Sequence, residues 1–262
     1  MSFLVISVAA FLVSGLTLFS GFGLGTLLMP VFALFFPLEM AVAATAVVHM
    51  ANSVFKVVAV GRQADPALVA RFGIPAILAA LAGAALLGRL SGFAPLVTYE
   101  IWGRSAVITP LKLVMAGLML LFALFELLPG WRRLTFDRRY LVAGGLLSGF
   151  FGGLSGHQGA LRAAFLAKVG VSAAAFVGTN AVIGFMVDLA RIAGYFAVFV
   201  AGRAAIPIRP EQWPLIGVAI LAALAGVLIG KRFLRKITMP TVQTVTGLLL
   251  LAIALALGIG LV

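Results

Sequence analysis

The chain has 262 residues, 63% of them hydrophobic and 10% charged, with a formal net charge of +12 and no cysteine. A soluble domain carries about 25% charged residues and cannot hide two thirds of its chain in a core, so an ordinary water-soluble fold is excluded. The missing cysteines exclude disulfides, thiolate metal sites and iron–sulfur clusters.

The first apolar block, about residues 3–37, has no Lys or Arg ahead of it and does not read as a cleaved signal peptide. It is too long for one straight helix and is interrupted by Gly21-Phe22-Gly23-Leu24-Gly25. Its second limb is short for a crossing at about 1.5 Å per residue, so a hairpin of broken helices is predicted. The next span carries Thr45, His49, Asn52 and Lys56 along one helical face. Phe72–Gly88 is a further span, and Ser91–Pro110, with Pro95, Tyr99 and Trp102, reads as an interfacial excursion. Another span follows to the basic junction at Trp131–Arg139. Tyr140–Gly170 then repeats the broken hairpin, with Gly152-Gly153-Leu154-Ser155-Gly156-His157-Gln158-Gly159 at its break and Arg162 about one turn later. Val169–Val187 opens the next span, whose face carries Asn180, Gly184, Asp188, Arg191 and Tyr195. Gln212–Gly230 and Ile237 to the C-terminus complete the spans.

The order of landmarks is duplicated. Ile77–Gly83 and Ile220–Gly226 both read I-L-A-A-L-A-G. Ser14-Gly15 corresponds to Ser148-Gly149, Thr45 to Thr179, and Gly117-Leu118 to Gly247-Leu248. The expected organisation is one transmembrane domain made of two repeats, 1–130 and 140–262, joined by a basic linker at 131–139. With the hairpins returning to their own side, eleven Lys and Arg fall on one face and five on the other. That bias marks the basic face as cytoplasmic and accounts for the net charge without nucleic acid. Each repeat then has five helical segments and an odd number of changes of side, so the second enters upside down. The expected fold class is an all-α polytopic membrane protein of inverted repeats, an architecture of secondary transporters.

Polar residues inside spans carry the chemistry. A charge at the bilayer centre costs about 2.5–3.5 kcal/mol on insertion scales and faces a bundle interior or cavity. Lys56, Arg162 and Arg191 outnumber the acid Asp188 there, so the midplane is positive and the expected cargo is an anion. An unwound segment leading into a helix offers free N–H groups and a positive dipole end, and Arg162 adds forked donors. The candidate substrate-binding residues are Arg162, Arg191, His157, Gln158, Gly23, Gly25, Thr45, His49, Asn52, Thr179 and Asn180. Asp188 and Lys56 are candidates for a coupling or structural ion pair. Plainer readings stand beside these: Lys56 snorkels, Asp188 and Arg191 lock two helices, His49 is a helix contact, and the glycines only pack. Two histidines without cysteine make a poor metal site, so no metal is expected.

The stretch G-F-G-L-G-T-L-L-M-P ending at Pro30, A-V-A-A-T ending at Thr45, and the echoes G-L-S-G-H-Q-G and F-V-G-T resemble the TauE/SafE sulfite-exporter family over nearly the whole chain. The resemblance implies a multi-pass permease of the bacterial inner membrane for small sulfur-containing or carboxylate anions, and no enzyme. It implies no cofactor. The partners are the anion, the lipid bilayer and a coupling ion, proton or sodium, in a monomer or homodimer. His157 and Gln158 depart from the family's glycine cluster, and Ala164 stands where Pro30 would repeat, which leaves sulfite itself open as cargo. Two other classes of function fit parts of the pattern. One is an anion channel. The other is a rhomboid-like intramembrane serine protease using Ser155 in Gly153-Leu154-Ser155-Gly156 with His49 as base; no histidine follows on a later span to serve it.

Overall fold

Proline and short polar side chains set where the helices begin. Asp65, Thr109 and Ser172 each accept a hydrogen bond from the backbone N–H three residues on, satisfying a donor that the first turn leaves open. Pro66 and Pro110 follow the first two caps at the position where a missing N–H costs nothing.

In the computed structural model, residues 2–20, 24–132, 134–201, 212–233 and 239–262 are described. The first half contains α1 (Ser2–Ser20), α2 (Leu24–Ala33), α3 (Leu38–Val60), α4 (Pro66–Leu68), α5 (Ile74–Ser91) and α6 (Pro110–Leu127). A short α7 (Pro129–Arg132) leads into α8 (Leu141–Ser155), α9 (Gly159–Leu166), α10 (Ala173–Phe196), α11 (Trp213–Phe233) and α12 (Met239–Gly258). A π-helical turn at Val69–Gly73 joins α4 to α5, making Pro66–Ser91 one continuous apolar rod.

Five helical stretches among the described residues are long and apolar enough to cross a bilayer: Leu38–Gln63, Pro66–Ser91, Pro110–Leu127, Ala173–Phe199 and Pro240–Gly258. The chain is a multi-pass helical membrane protein. Its outer wall is apolar, with Leu4, Val58, Leu221 and Leu255 all exposed. Its interior is where the polar side chains gather, including Thr45, Asn52, Asp188 and Arg191.

Each half has a pair of successive helices at the expected place. α1 stops at Ser20 and α2 starts at Leu24, while α8 stops at Ser155 and α9 starts at Gly159. Gly21 and Gly23 lie outside the described residues. In the second half the break is narrower than the glycine cluster suggests: the helix runs through Gly152 and Gly153 and ends at Gly156, whose φ of +82° makes a left-handed cap donating to the Gly152 carbonyl. Gly145, Gly149 and Gly153 stay helical because they form a stripe against Phe72, Ala76 and Ala80 of the neighbouring rod, where an added Cβ would collide with backbone carbonyls.

The packing is reciprocal. α1 lies on α11 as α8 lies on α5, α3 contacts α11 as α10 contacts α5, and the pairs α3–α10 and α6–α12 run between the halves. The two halves therefore share one core.

The excursion at Ser91–Pro110 contains a two-stranded β-hairpin, β1 (Val97–Ile101) antiparallel to β2 (Arg104–Ile108). Trp102 and Gly103 form its turn with φ of 51° and 70°, the double positive φ that suits the strand twist. Tyr99 donates to the Ile259 carbonyl at 2.7 Å and Val107 N–H to the Gly260 carbonyl at 3.0 Å, clasping the C-terminus. The all-α expectation thus holds for the spans but not for this connection. Its run V-T-Y-E-I has the β-branched and aromatic residues that favour a strand.

Candidate functional site

The α8–α9 break, α3 and α10 converge on one carboxylate. Asp188, on α10, is fully buried and both its oxygens are saturated. Its Oδ1 accepts from Gln158 Nε2 at 3.0 Å, Arg191 Nε at 3.1 Å and Arg191 Nη2 at 2.9 Å. Its Oδ2 accepts from Ser53 Oγ at 2.7 Å and pairs with His49 Nδ1 at 2.6 Å. His49 and Ser53 are one turn apart on α3, so a single helical face delivers both.

Gln158 carries the network onward. While its amide N–H bonds Asp188, its Oε1 accepts from Arg162 Nη1 at 3.0 Å. Arg162 Nε donates to Asn180 Oδ1 at 2.9 Å, and Asn180 in turn donates to the Phe176 carbonyl. Arg162 is 3% exposed, and these partners are neutral. Arg191 has its own unsatisfied group: Nη1 is buried with no hydrogen-bond partner. A Cβ placed on Gly156 would stand 3.1 Å from that nitrogen, so Nη1 lies beside the helix break.

The other hairpin meets the same place. A Cβ on Gly25 would stand 2.7 Å from the Gly156 carbonyl oxygen and 3.7 Å from the His49 ring. Gly25, at the start of α2, is therefore required for close approach of the two breaks. His157 is buried, stacked on Phe122 with ring centroids 5.0 Å apart, and its Nδ1 lies 3.0 Å from both the Ser155 carbonyl and hydroxyl oxygens. Its Nε2 is buried without a partner.

Several residues of the sequence stripes stand elsewhere. Thr45 donates to the Ala41 carbonyl of its own helix at 2.7 Å. The Thr179 hydroxyl accepts from Asp65 N–H at 2.9 Å, tying α10 to the start of α4. Asn52 Oδ1 faces Ser14 Oγ at 3.5 Å. Lys56, half-buried on α3, stands within the field of Arg162 and Asp188. Gly23 lies outside the described residues. Ser53 was missed, although its place four residues after His49 put it on the same face. Tyr195, one turn beyond Arg191, donates to the Gly153 carbonyl at 2.5 Å and pins α10 to α8.

The Ser155 hydroxyl donates to the Phe151 carbonyl of its own helix at 3.0 Å, and His49 is committed to Asp188. Neither is arranged as a nucleophile with an oriented base. Among the described residues no cluster of three His, Cys, Asp or Glu is placed to hold a metal ion.

What the arrangement does chemically is concentrate positive charge. Arg162, Arg191 and Lys56 stand around one carboxylate, and Arg191 Nη1 is a buried donor left open beside the helix break. No curated protein and no solved structure matches the chain. A family model described as sulfite exporter TauE/SafE matches residues 5–257. That match spans both halves, both breaks and every residue of the network, and its family is one of transporters and not of enzymes. The chain belongs to the TauE/SafE sulfite-exporter family of membrane transporters of sulfite-type anions.

Proposed function

We propose that the protein is a secondary transporter of the bacterial inner membrane that moves a small oxyanion by alternating access. The cargo class is a sulfur oxyanion, a sulfonate or a short carboxylate. The observation that carries this reading is Arg162: a guanidinium buried to 97%, with hydrogen bonds to the neutral oxygens of Gln158 and Asn180. Burying a guanidinium with no carboxylate bonded to it is costly, and a visiting anion is a natural partner. Arg191 Nη1 and the N-terminus of α9 lie at the same break and supply further donors. Gly25, His49 and Gln158 complete the wall. Asn180 holds Arg162 in place, and Asp188 keeps Arg191 oriented, with Lys56 as an additional fixed charge.

The reciprocal packing of α1–α11 with α8–α5 and of α3–α11 with α10–α5 supports two inverted repeats, 1–130 and 140–262, joined by the linker 131–139. In such an arrangement the halves rock about a site between them, opening it to each side in turn. The five-to-eleven charge bias supports placing 131–139 in the cytoplasm.

The test is counterflow in proteoliposomes with sulfite, thiosulfate, sulfonates and short carboxylates. Saturable exchange stimulated by the same anion on the far side is the expected result. Flux rising linearly with concentration, without counterflow, would replace the carrier by a channel. Cysteines introduced after Trp131 and after Lys236 should both be labelled from the cytoplasmic side; labelling on opposite faces would end the inverted-repeat reading.

A further inference from the structure

One buried acid has no place in the anion network. Glu126 sits one residue before the end of α6, is 3% exposed, and its Oε2 is fully buried with no hydrogen-bond partner. Among the described residues no cation forms an ion pair with the carboxyl. Arg132 of α7 is the nearby cation, yet its Nε donates to the Glu126 main-chain carbonyl and its Nη2 to Thr244 Oγ1 at 2.8 Å. α12, which covers this part of α6, has no titratable side chain along its whole length. Its Thr244 and Thr246 hydroxyls donate to carbonyls of their own helix. From α5 the titratable residue is Arg89, in the last turn of that helix. From the α8–α9 break the facing group is His157, stacked on Phe122 one turn before Glu126.

A carboxylate buried without a paired cation is strongly disfavoured, and a proton is the smallest partner that removes its charge. A hard metal cation would need several oxygen ligands, and a single partnerless carboxyl oxygen between apolar faces does not supply them. The packing makes the group sensitive to motion. A Cβ on Gly247 would stand 3.2 Å from the Glu126 Cβ, so the α12 backbone lies directly against it. Separation of α6 from α12 would admit water and release the proton, and closure would require its return.

We propose that Glu126 is a proton-binding site at the interface of α6 and α12 through which proton movement is coupled to anion transport. The inference rests on the transporter reading above and names its coupling ion. Glu126 does not touch the Asp188 network, so the two sites are chemically separate and linked through helix movement. His157, the neighbour in sequence of Gln158 in that network, stacks on Phe122, one turn before Glu126.

The experiment uses the full chain in proteoliposomes with a pH-sensitive dye trapped inside and sulfite as the probe. In the native protein, an inward sulfite gradient should drive proton movement across the membrane. In Glu126→Gln, which mimics the protonated acid, proton movement should fall at least tenfold while sulfite counterflow persists. Unchanged proton movement in the variant overturns the proposal. So does native sulfite transport that moves no protons, an outcome that leaves the transporter reading standing. Absence of counterflow for every anion tested removes the transporter reading instead. The acid is then judged alone by infrared difference spectra of purified protein between acidic and alkaline buffer. A protonated carboxyl band present in the native protein and lost in Glu126→Gln supports the proton site, and identical spectra overturn it.

Discussion

Aligned on Thr45 and Thr179, the two halves place Ser14 at Ser148, Gly15 at Gly149 and Gly25 at Gly159. The charged residues do not follow. Gln158, Arg162, Asp188 and Arg191 of the second half fall on Leu24, Leu28, Val54 and Val57 of the first. In the other direction His49, Ser53 and Lys56 fall on Ile183, Val187 and Ala190. Small residues thus recur at matching positions of the two halves, while the network is divided between them. The first half brings Gly25, His49 and Ser53 to the centre, and the second brings the carboxylate and both guanidinium groups. A symmetrical copy of Arg162 or Asp188 would bury a second set of charges for one small ligand, at several kcal/mol each.

The most severe way to break this division is at Asp188. Five donors converge on its two oxygens, from both halves and from the helix break. Asp188→Asn leaves Arg191 buried without its counter-charge, and breaking a buried pair costs about 3–5 kcal/mol. Thermal unfolding of the purified protein in detergent should shift sharply downward, and transport should be lost. The double variant Asp188→Asn/Arg191→Gln should regain much of that stability, because no charge is then stranded. If Arg191 faces the anion, transport stays lost in the double variant; recovered transport would reduce the pair to a lock between helices.

Reading the sequence went furthest where a residue's effect is local. The break between α8 and α9, the apolar spans and the polar stripe of α10 follow from composition and helical period. The meeting of His49 with Asp188 does not, because it joins residues 139 apart in the chain. Of the stripe through Thr45, His49, Asn52 and Lys56, His49 bonds Asp188 of α10, and its partner there is Ser53 on the neighbouring track. Glu126 drew no attention, lying at a span end beside basic residues where a solvated acid is the ordinary reading. Its burial arises from α12, which the local sequence does not announce.

Arg162 sharpens the comparison because its counterpart Leu28 is an ordinary core residue, fully buried. Arg162→Gln removes the charge but leaves an amide able to bond Asn180 and Gln158, so the fold should survive. A charge-assisted hydrogen bond contributes about 1.5–3 kcal/mol. Since 1.4 kcal/mol is a factor of ten, anion affinity measured by counterflow should fall roughly tenfold to a hundredfold. Arg162→Lys keeps the charge without the forked donors and should recover part of that loss. Unchanged affinity in Arg162→Gln would show that the anion binds elsewhere.

The smallest effects are expected at Thr45 and Thr179, where sequence equivalence and structural role part company. Thr45 returns its hydroxyl to the Ala41 carbonyl of its own helix, so Thr45→Val removes a bond that helix geometry does not need. Counterflow affinity should stay within about twofold, and thermal stability should change by less than about 1 kcal/mol. Thr179 accepts from the partly buried N–H of Asp65, where α3 gives way to α4. Thr179→Val leaves that N–H without its acceptor, at about 1–3 kcal/mol of stability, again with affinity unchanged. The two valine variants therefore separate by stability and coincide in binding. A loss of anion affinity in Thr45→Val but not in Thr179→Val would reverse the assignment, because only a ligand contact gives a hydroxyl bonded to its own helix an effect on binding.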